Sequence, residues 1–237
     1  MSGEYYGFPG GFVTFWEDFT RDNVTDLRET AGGSATQDIS DVHGGWWRQT
    51  LGGDDNDDML IAAEVVWEVD EGSPLVFETR VQSSVVTVQG LWAGMSDANT
   101  ETSGVNSIHA EAGSLTTAAA DAFGFILDES AAGTQDTTWQ AVGVEGGTDK
   151  TSVSLTASAA IVATTPQVLR MEATGLTSGT VKYYVGTAEQ MGGGELISTR
   201  TSWFDSSIQF CPILGADDRG TSANPEWDYF FVSAPRT

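Results

Sequence analysis

Hydrophobic and polar residues alternate with a period of two along most of the chain. The run 75–82 is the clearest case, with Leu75, Phe77, Thr79 and Val81 on one face and Val76, Glu78, Arg80 and Gln82 on the other. Such a pattern is typical of a β-strand with one face in a core and the other facing solvent or a binding site. Helical periodicity is scarce, so the sequence predicts an all-β protein.

Strand-like runs recur at short intervals, separated by Gly, Ser, Thr, Asn and Asp. They fall at 12–19, 45–50, 59–63, 74–82, 86–95, 122–127, 139–144, 152–157, 168–173, 180–185, 208–214 and 227–233. Such a series predicts two antiparallel sheets packed face to face as one domain over 12–237. The acidic turn 52–58 predicts a hairpin of its two flanking runs. The long connection 96–121 is expected to be a loop, with a short helix at 115–122 as the alternative.

Residues 1–11 are rich in Gly and Pro and are expected to form a flexible arm that does not pair regularly. The aromatic residues of this arm and its boundary are difficult to bury in one sandwich. They are therefore candidate contacts with a neighbouring subunit, since aromatic anchors carry much of the energy of an interface. These residues are Tyr5, Tyr6, Phe8 and Phe12.

Trp46 and Trp47 are adjacent on a predicted strand and must point to opposite faces. At least one of the two is therefore expected to lie outside the core. Both are added to the candidate contact residues.

The chain is strongly acidic. It has 10 Lys and Arg against 34 Asp and Glu, a formal net charge of −24. A negative field repels phosphate backbones and anionic lipid, so nucleic acid and membrane surfaces are not expected partners. No run approaches the about 20 apolar residues of a membrane helix, and the N-terminus has no signal-peptide pattern. Cys211 is the single cysteine, and its apolar neighbours predict a buried, inert thiol.

No catalytic constellation is evident. A strand that carries three carboxylates at alternate positions would place them on one face, as glycosidases of the laminarinase type require. The nearest match puts Glu68 and Asp70 on one face, but Glu71 on the other and Gly72 in the third position. A solvated turn is the expected structure, and we predict no enzymatic activity.

Asp54, Asn56 and Asp58 form a weak candidate for a Ca²⁺ site, because carboxylate and amide oxygens suit a hard cation. Met59 occupies the position at which an EF-hand loop requires Gly. An exposed acidic turn without metal is the default expectation, so no cofactor is predicted and Ca²⁺ is the alternative.

Several motifs occur together in order along 12–234. They are Trp16-Glu17-Asp18-Phe19, Phe77-Glu78-Thr79-Arg80-Val81, Gly90-Leu91-Trp92, Leu169-Arg170-Met171-Glu172, Tyr183-Tyr184-Val185-Gly186 and Asp228-Tyr229-Phe230-Phe231-Val232. Their order resembles the concanavalin A-like jelly-roll family, in particular its versions among structural proteins of tailed bacteriophages. The resemblance implies that the first and last strands lie side by side in one sheet.

The resemblance also implies a function. A decoration (cement) protein on the outer surface of a phage head would contact the major capsid protein and neighbouring copies of itself. The alternative is a carbohydrate-binding, lectin-like module of a fibre, a tail or a cell surface, with a host glycan as ligand.

Overall fold

Nineteen strands and no helix make up the part of the chain that the computed structural model describes. The described residues are 4–8, 12–19, 27–40, 45–54, 57–64, 66–86, 89–98, 109–111, 114–116, 119–128, 138–151, 153–155, 160–175, 178–187, 192, 194–205, 208–218, 220 and 223–235. Within them no helix is long and apolar enough to cross a membrane.

The strands are β1 (Glu4–Phe8), β2 (Phe12–Glu17), β3 (Arg28–Ala31), β4 (Thr36–Ser40), β5 (Trp46–Thr50), β6 (Asp58–Ala62), β7 (Leu75–Ser83), β8 (Gln89–Ser96), β9 (His109–Glu111), β10 (Ser114–Thr116), β11 (Ala122–Asp128), β12 (Gln140–Glu145), β13 (Thr148–Asp149), β14 (Val153–Ser154), β15 (Gln167–Thr174), β16 (Thr180–Gly186), β17 (Glu195–Arg200), β18 (Cys211–Asp218) and β19 (Pro225–Pro235).

The strands form two large antiparallel sheets, as the sequence predicts. The nine-stranded sheet has the order β1-β2-β19-β7-β15-β16-β17, with β5 beside β19 and β4 beside β5. The eight-stranded sheet has the order β13-β12-β11-β8-β18-β6-β3, with β14 beside β12. The first long strand and the last strand are neighbours, with Phe15 opposite Val232 in the register of β2 and β19. This pairing confirms the expectation that the first and last strands lie side by side in one sheet.

Aromatic side chains fill the space between the sheets. Phe15 and Phe77 both pack edge-to-face on Phe230, with ring centroids 5.8 and 5.9 Å apart. From the other sheet, Phe125 meets Tyr183 edge-on at 5.1 Å. Each of these side chains is almost completely buried and contributes about 1.5–3 kcal/mol by leaving water. The core therefore lies between the sheets.

The predicted hairpin across residues 52–58 is wrong. β5 belongs to the nine-stranded sheet, whereas β6 pairs with β3 and β18 in the other sheet. Leu51 follows β5, is 1% exposed, and donates its backbone N–H to the carbonyl of Ala223. The apolar residue is thus pulled into the core at the end of β5, and the chain continues into the opposite sheet instead of turning back.

The N-terminal segment and the long connection also differ from the expectations. β1 pairs with β2 in regular antiparallel register, with Tyr5 opposite Phe15, so residues 4–8 are an edge strand and not an irregular arm. Pro9 and the glycines that follow it fall between the two strands in the sequence, so neither β1 nor β2 contains a proline. In the connection 96–121, β9 and β10 pair with each other, and Leu115 lies in a strand and not in the alternative helix.

Candidate functional site

The outer face of the nine-stranded sheet carries a row of large polar and aromatic side chains. Cross-strand register places Trp16, Phe231, Glu78, Arg170 and Tyr184 opposite one another along β2, β19, β7, β15 and β16. Directly opposite residues of an antiparallel pair share a face. Because the alternate residues of these strands enter the core, this row faces outward.

Glu78 is the centre of this row and is completely buried. Its carboxylate accepts hydrogen bonds from the hydroxyl of Tyr229 at 2.7 Å and from the backbone N–H of Gly192 at 2.9 Å. Arg170 lies 3.3 Å from its second oxygen. A buried carboxylate with these partners is stabilised in place and links β7, β15, β19 and the backbone of Gly192.

Arg170 also bonds to Glu172, at 2.8 Å, and Tyr184 donates to the second oxygen of Glu172 at 2.9 Å. Burial raises the pKa of Glu172, but the hydrogen bonds from Arg170 and Tyr184 outweigh it and bring the pKa below its ordinary value. Burial and the bond to Glu172 raise the pKa of Tyr184. Glu172 is therefore ionised at neutral pH and is not suited to act as a general acid.

An aromatic and cationic strip continues from this row. Trp16 stacks on Tyr229 with ring centroids 4.9 Å apart and an interplanar angle of 20°. Farther along the face, the guanidinium of Arg80 lies 5.0 Å from the ring centroid of Trp46 and pairs with Asp228 at 2.5 Å. Such cation–π contacts contribute about 0.5–2 kcal/mol.

Trp46 and Trp47 point to opposite faces, as the sequence predicts. Trp47 belongs to the main core and donates its indole N–H to Gln37 at 2.6 Å, whereas Trp46 lies under Arg80 on the outer face. Both are nonetheless buried, with 6% of Trp46 and 1% of Trp47 exposed. As candidate contact residues they therefore offer little of their own surface to a partner.

A polar depression of about 310 Å³ opens beside this strip, where β7 ends and β19 begins. Glu226 lines it and receives a hydrogen bond from Arg48 Nε at 2.6 Å on one oxygen and from the Gln82 amide at 2.5 Å on the other. The side chain of Arg48 is 41% exposed and that of Glu226 is 11% exposed. The lining residues are Arg48, Gln82, Ser83, Ser84, Thr164, Asn224 and Glu226.

The outer side of the eight-stranded sheet differs from this face in the residues that the structure describes. It carries a second apolar cluster that includes Trp92, Ile126, Val142 and Ile213, each at most 1% exposed. Ala119, from the connection between β8 and β11, is buried in the same cluster. This apolar part of the outer side is closed to water, and the buried carboxylates Asp58 and Asp217 stand opposite each other on the same side.

The carboxylate candidates from the sequence do not assemble into a catalytic group. Asp70 accepts hydrogen bonds from the backbone N–H groups of Glu71 at 2.6 Å and Gly72 at 3.5 Å, which is the geometry of a turn. Glu68 accepts from the amide of Gln209 at 2.8 Å. Among the described strands, none carries three carboxylates at alternate positions.

Of the three residues proposed for a Ca²⁺ site, the structure describes Asp54 and Asp58, and their environments differ. Asp54 is exposed, whereas Asp58 is 1% exposed and stands opposite Asp217 in the eight-stranded sheet. Asn56 lies outside the described residues. Within the described ranges, no three carboxylate, imidazole or thiol groups are arranged to hold a metal ion.

The aromatic contact candidates of the N-terminus lie in the hairpin of β1 and β2. Tyr5, Tyr6 and Phe8 are in β1, and the description of this strand covers its backbone but not its side chains. Phe12, the first residue of β2, is 38% exposed, which is high for a large apolar side chain. Within the described residues β1 pairs with β2 alone, so its other edge is the margin of the sheet.

Sequence reasoning located part of this geometry. Alternation placed Glu78, Arg80 and Gln82 on the face opposite the core, which is where the structure has them. Nothing in the spacing indicated that Glu78 would be buried. Nor did it indicate that Gln82 would bond to Glu226, which lies 144 positions away in the chain. Asn224 and Thr164 come from segments between strands, and no local pattern brings them together.

Comparisons with known proteins agree on the architecture. No family model and no curated protein sequence matches the chain. Among solved structures, a protein of unknown function from Shewanella oneidensis MR-1 aligns with a TM-score of 0.61 at 10% identity, over 99% of this chain and 91% of its own. Peanut lectin aligns with 0.61 at 10% identity, over 95% of this chain and 99% of the lectin. The β-glucanase of Bacillus licheniformis aligns with 0.56 at 13% identity, over 95% and 99%. At such identities the likeness concerns the fold, and the fold of this chain is the concanavalin A-like jelly roll shared by lectins and glucanases.

Proposed function

We propose that this chain is a non-enzymatic structural protein of a tailed bacteriophage, a decoration protein on the outer surface of the head. Its partners would be the major capsid protein and neighbouring copies of itself. The ordered motifs that resemble phage structural proteins support this proposal, and so does the placement of the chain ends.

The N-terminal hairpin is the observation that carries the proposal. Within the described residues β1 lies at the margin of the nine-stranded sheet, where the far side of an edge strand can pair with a strand of a neighbour. The exposed ring of Phe12 lies at the turn end of the same hairpin. An aromatic edge strand of this kind suits a protein that binds to a large assembly.

The state of the buried carboxylates supports binding over catalysis. Among them, Glu78 is completely buried and is engaged by Arg170 and by the hydroxyl of Tyr229. A catalytic carboxylate must instead reach the substrate. The outer face therefore works as a fixed surface.

The charge of the chain fits the same role. A net charge of −24 keeps free protein soluble before assembly and keeps it away from packaged DNA. Binding to assembled capsid would then stabilise the shell by mass action.

Purified particles test the proposal. Trypsin releases residues 171–182, because Arg170 precedes this segment and Lys182 ends it. We expect mass spectrometry to find this peptide in gradient-purified phage particles from cells that carry the gene, and an antibody to label intact heads. Absence of the peptide, or labelling only after the heads are ruptured, would overturn the proposal.

Carbohydrate binding is the second candidate function. The fold shared with peanut lectin and the polar depression beside Glu226 favour it. An array of immobilised glycans, probed with the whole chain, tests it directly. If the chain is a decoration protein that does not bind carbohydrate, it will bind none of the immobilised glycans.

A further inference from the structure

The depression beside Glu226 has features that the architecture of the sheet does not require. Its lining residues come from β5, β7, β19 and the segments at 164 and 224, and every lining side chain is polar. Its volume of about 310 Å³ lies at the lower end of the range for small-ligand sites, about 300–1,000 Å³.

The hydrogen-bonded groups in its lining are held in fixed positions from which they can recognise a ligand. Both oxygens of Glu226 are held by Arg48 and Gln82, which orients the carboxylate and the guanidinium. A guanidinium has five N–H donors, and the contacts with Glu226 use those of Nε and one terminal nitrogen, so Arg48 retains donors at its exposed side. The amide of Asn224 can both donate and accept at the rim.

The charge of the lining selects the class of ligand. Arg48 and Glu226 neutralise each other, so the depression has no net charge to attract an ion. The negative field of the whole chain further disfavours anions. Alternating donors and acceptors suit adjacent hydroxyl groups, each of which donates one hydrogen bond and accepts others.

We propose that the depression binds a neutral saccharide unit, with Arg48, Asn224 and Glu226 contacting its hydroxyl groups. The proposal rests on the second candidate function and assigns it a location. The lining has no aromatic side chain for a sugar ring to stack on, so binding of a single unit is weak and arises from hydrogen bonds.

The experiment has two stages, which test the function and the location separately. The whole chain is first applied to an array that contains neutral and sialylated mono- to tetrasaccharides. A neutral saccharide that binds is then titrated by saturation-transfer NMR against wild type, Asn224→Ala, Glu226→Gln and Gln209→Ala. Gln209 is exposed and lies outside the depression, so its variant is the matched control.

We expect Asn224→Ala and Glu226→Gln each to raise the Kd about tenfold or more, and Gln209→Ala to leave it unchanged. Thermal unfolding of each variant shows that it is folded, and Asn224→Ala alters a side chain without a role in the core. Unchanged affinity in both depression variants would overturn the location while carbohydrate binding stands. Binding of sialylated glycans alone would overturn the ligand class, and binding of no glycan would overturn function and location together.

Discussion

The hydroxyl of Tyr229 donates a hydrogen bond of 2.7 Å to Glu78, although 151 positions separate the two residues. A bond from a buried donor to a charged acceptor contributes about 1.5–3 kcal/mol. We therefore expect Tyr229→Phe to lower the free energy of unfolding by this amount, measured by urea denaturation with tryptophan fluorescence. Tyr184→Phe is the control, because Tyr184 is only partly buried and water can replace its bond to Glu172. A loss as large in the control would contradict the role assigned to burial.

Gly94 and Gly124 face each other across β8 and β11, and the ring of Trp92 lies over both. A Cβ on Gly124 would lie 2.8 Å from the carbonyl oxygen of Ala93 and 2.9 Å from the Cα of Gly94. Since these contacts are with backbone, Gly124→Ala should cost about 1–3 kcal/mol of stability. Gly72→Ala, with nothing within 4 Å of its Cβ, should change stability by less than about 0.5 kcal/mol. Chemical denaturation of both variants gives the comparison, and equal effects would disprove the close approach.

Asp121 is buried and accepts backbone hydrogen bonds from Asp205 at 2.9 Å and Gly146 at 3.3 Å. Burial raises the pKa of its carboxyl above the ordinary 3.8, although these bonds act in the opposite direction. The folded state therefore binds this proton more tightly than the unfolded state, and the contribution of Asp121 to stability falls as pH rises above 3.8 through the folded pKa.

Asp121→Asn keeps an acceptor oxygen and does not titrate. We expect the stability of this variant relative to wild type to improve between pH 4 and pH 7, as followed by urea denaturation across that range. A relative stability that is constant or worsens with pH would show that the pKa is not raised.

Removal of residues 1–11 should separate binding from folding. β2 retains its pairing with β19, so the truncated chain should keep the far-UV circular dichroism of the full chain. Under the proposed function, the full chain should co-sediment with purified phage heads and the truncated chain should lose most of this binding. Phe12→Asp should weaken binding in the same direction, and Val162→Asp, which alters an exposed side chain outside the hairpin, should not. Retained binding of the truncated chain would exclude the hairpin as the contact.

The two-sheet fold was predictable because alternation is a local signal with a fixed period, and it placed β7, β11, β15, β16 and β19 near their observed positions. The placement of β5 and β6 in different sheets was not predictable, because it depends on the burial of Leu51 at the end of β5. The edge strand β1 was missed because Pro9 and the neighbouring glycines suggest irregular backbone, whereas they separate two strands.

The candidate site was less predictable than the fold. Its pairs join residues that are far apart in the chain, as Gln82 and Glu226 are. A charged residue on a strand face is normally solvated, and the burial of Glu78 follows from the partners that Arg170, Tyr229 and Gly192 provide. Such partners are known only once the strand order is known.

The second apolar cluster changes what β11 can tolerate during evolution. Phe125 enters the core between the sheets, and its neighbour Ile126 enters the cluster on the far side. A residue-by-residue survey of fitness would therefore find residues 122–127 of β11 uniformly resistant to charged replacements. Along β16, where Lys182 is exposed beside a buried Tyr183, every second position should accept them. Strands that do not alternate in their exposure, which also include β6, β8 and β18, are thus those where change is most restricted.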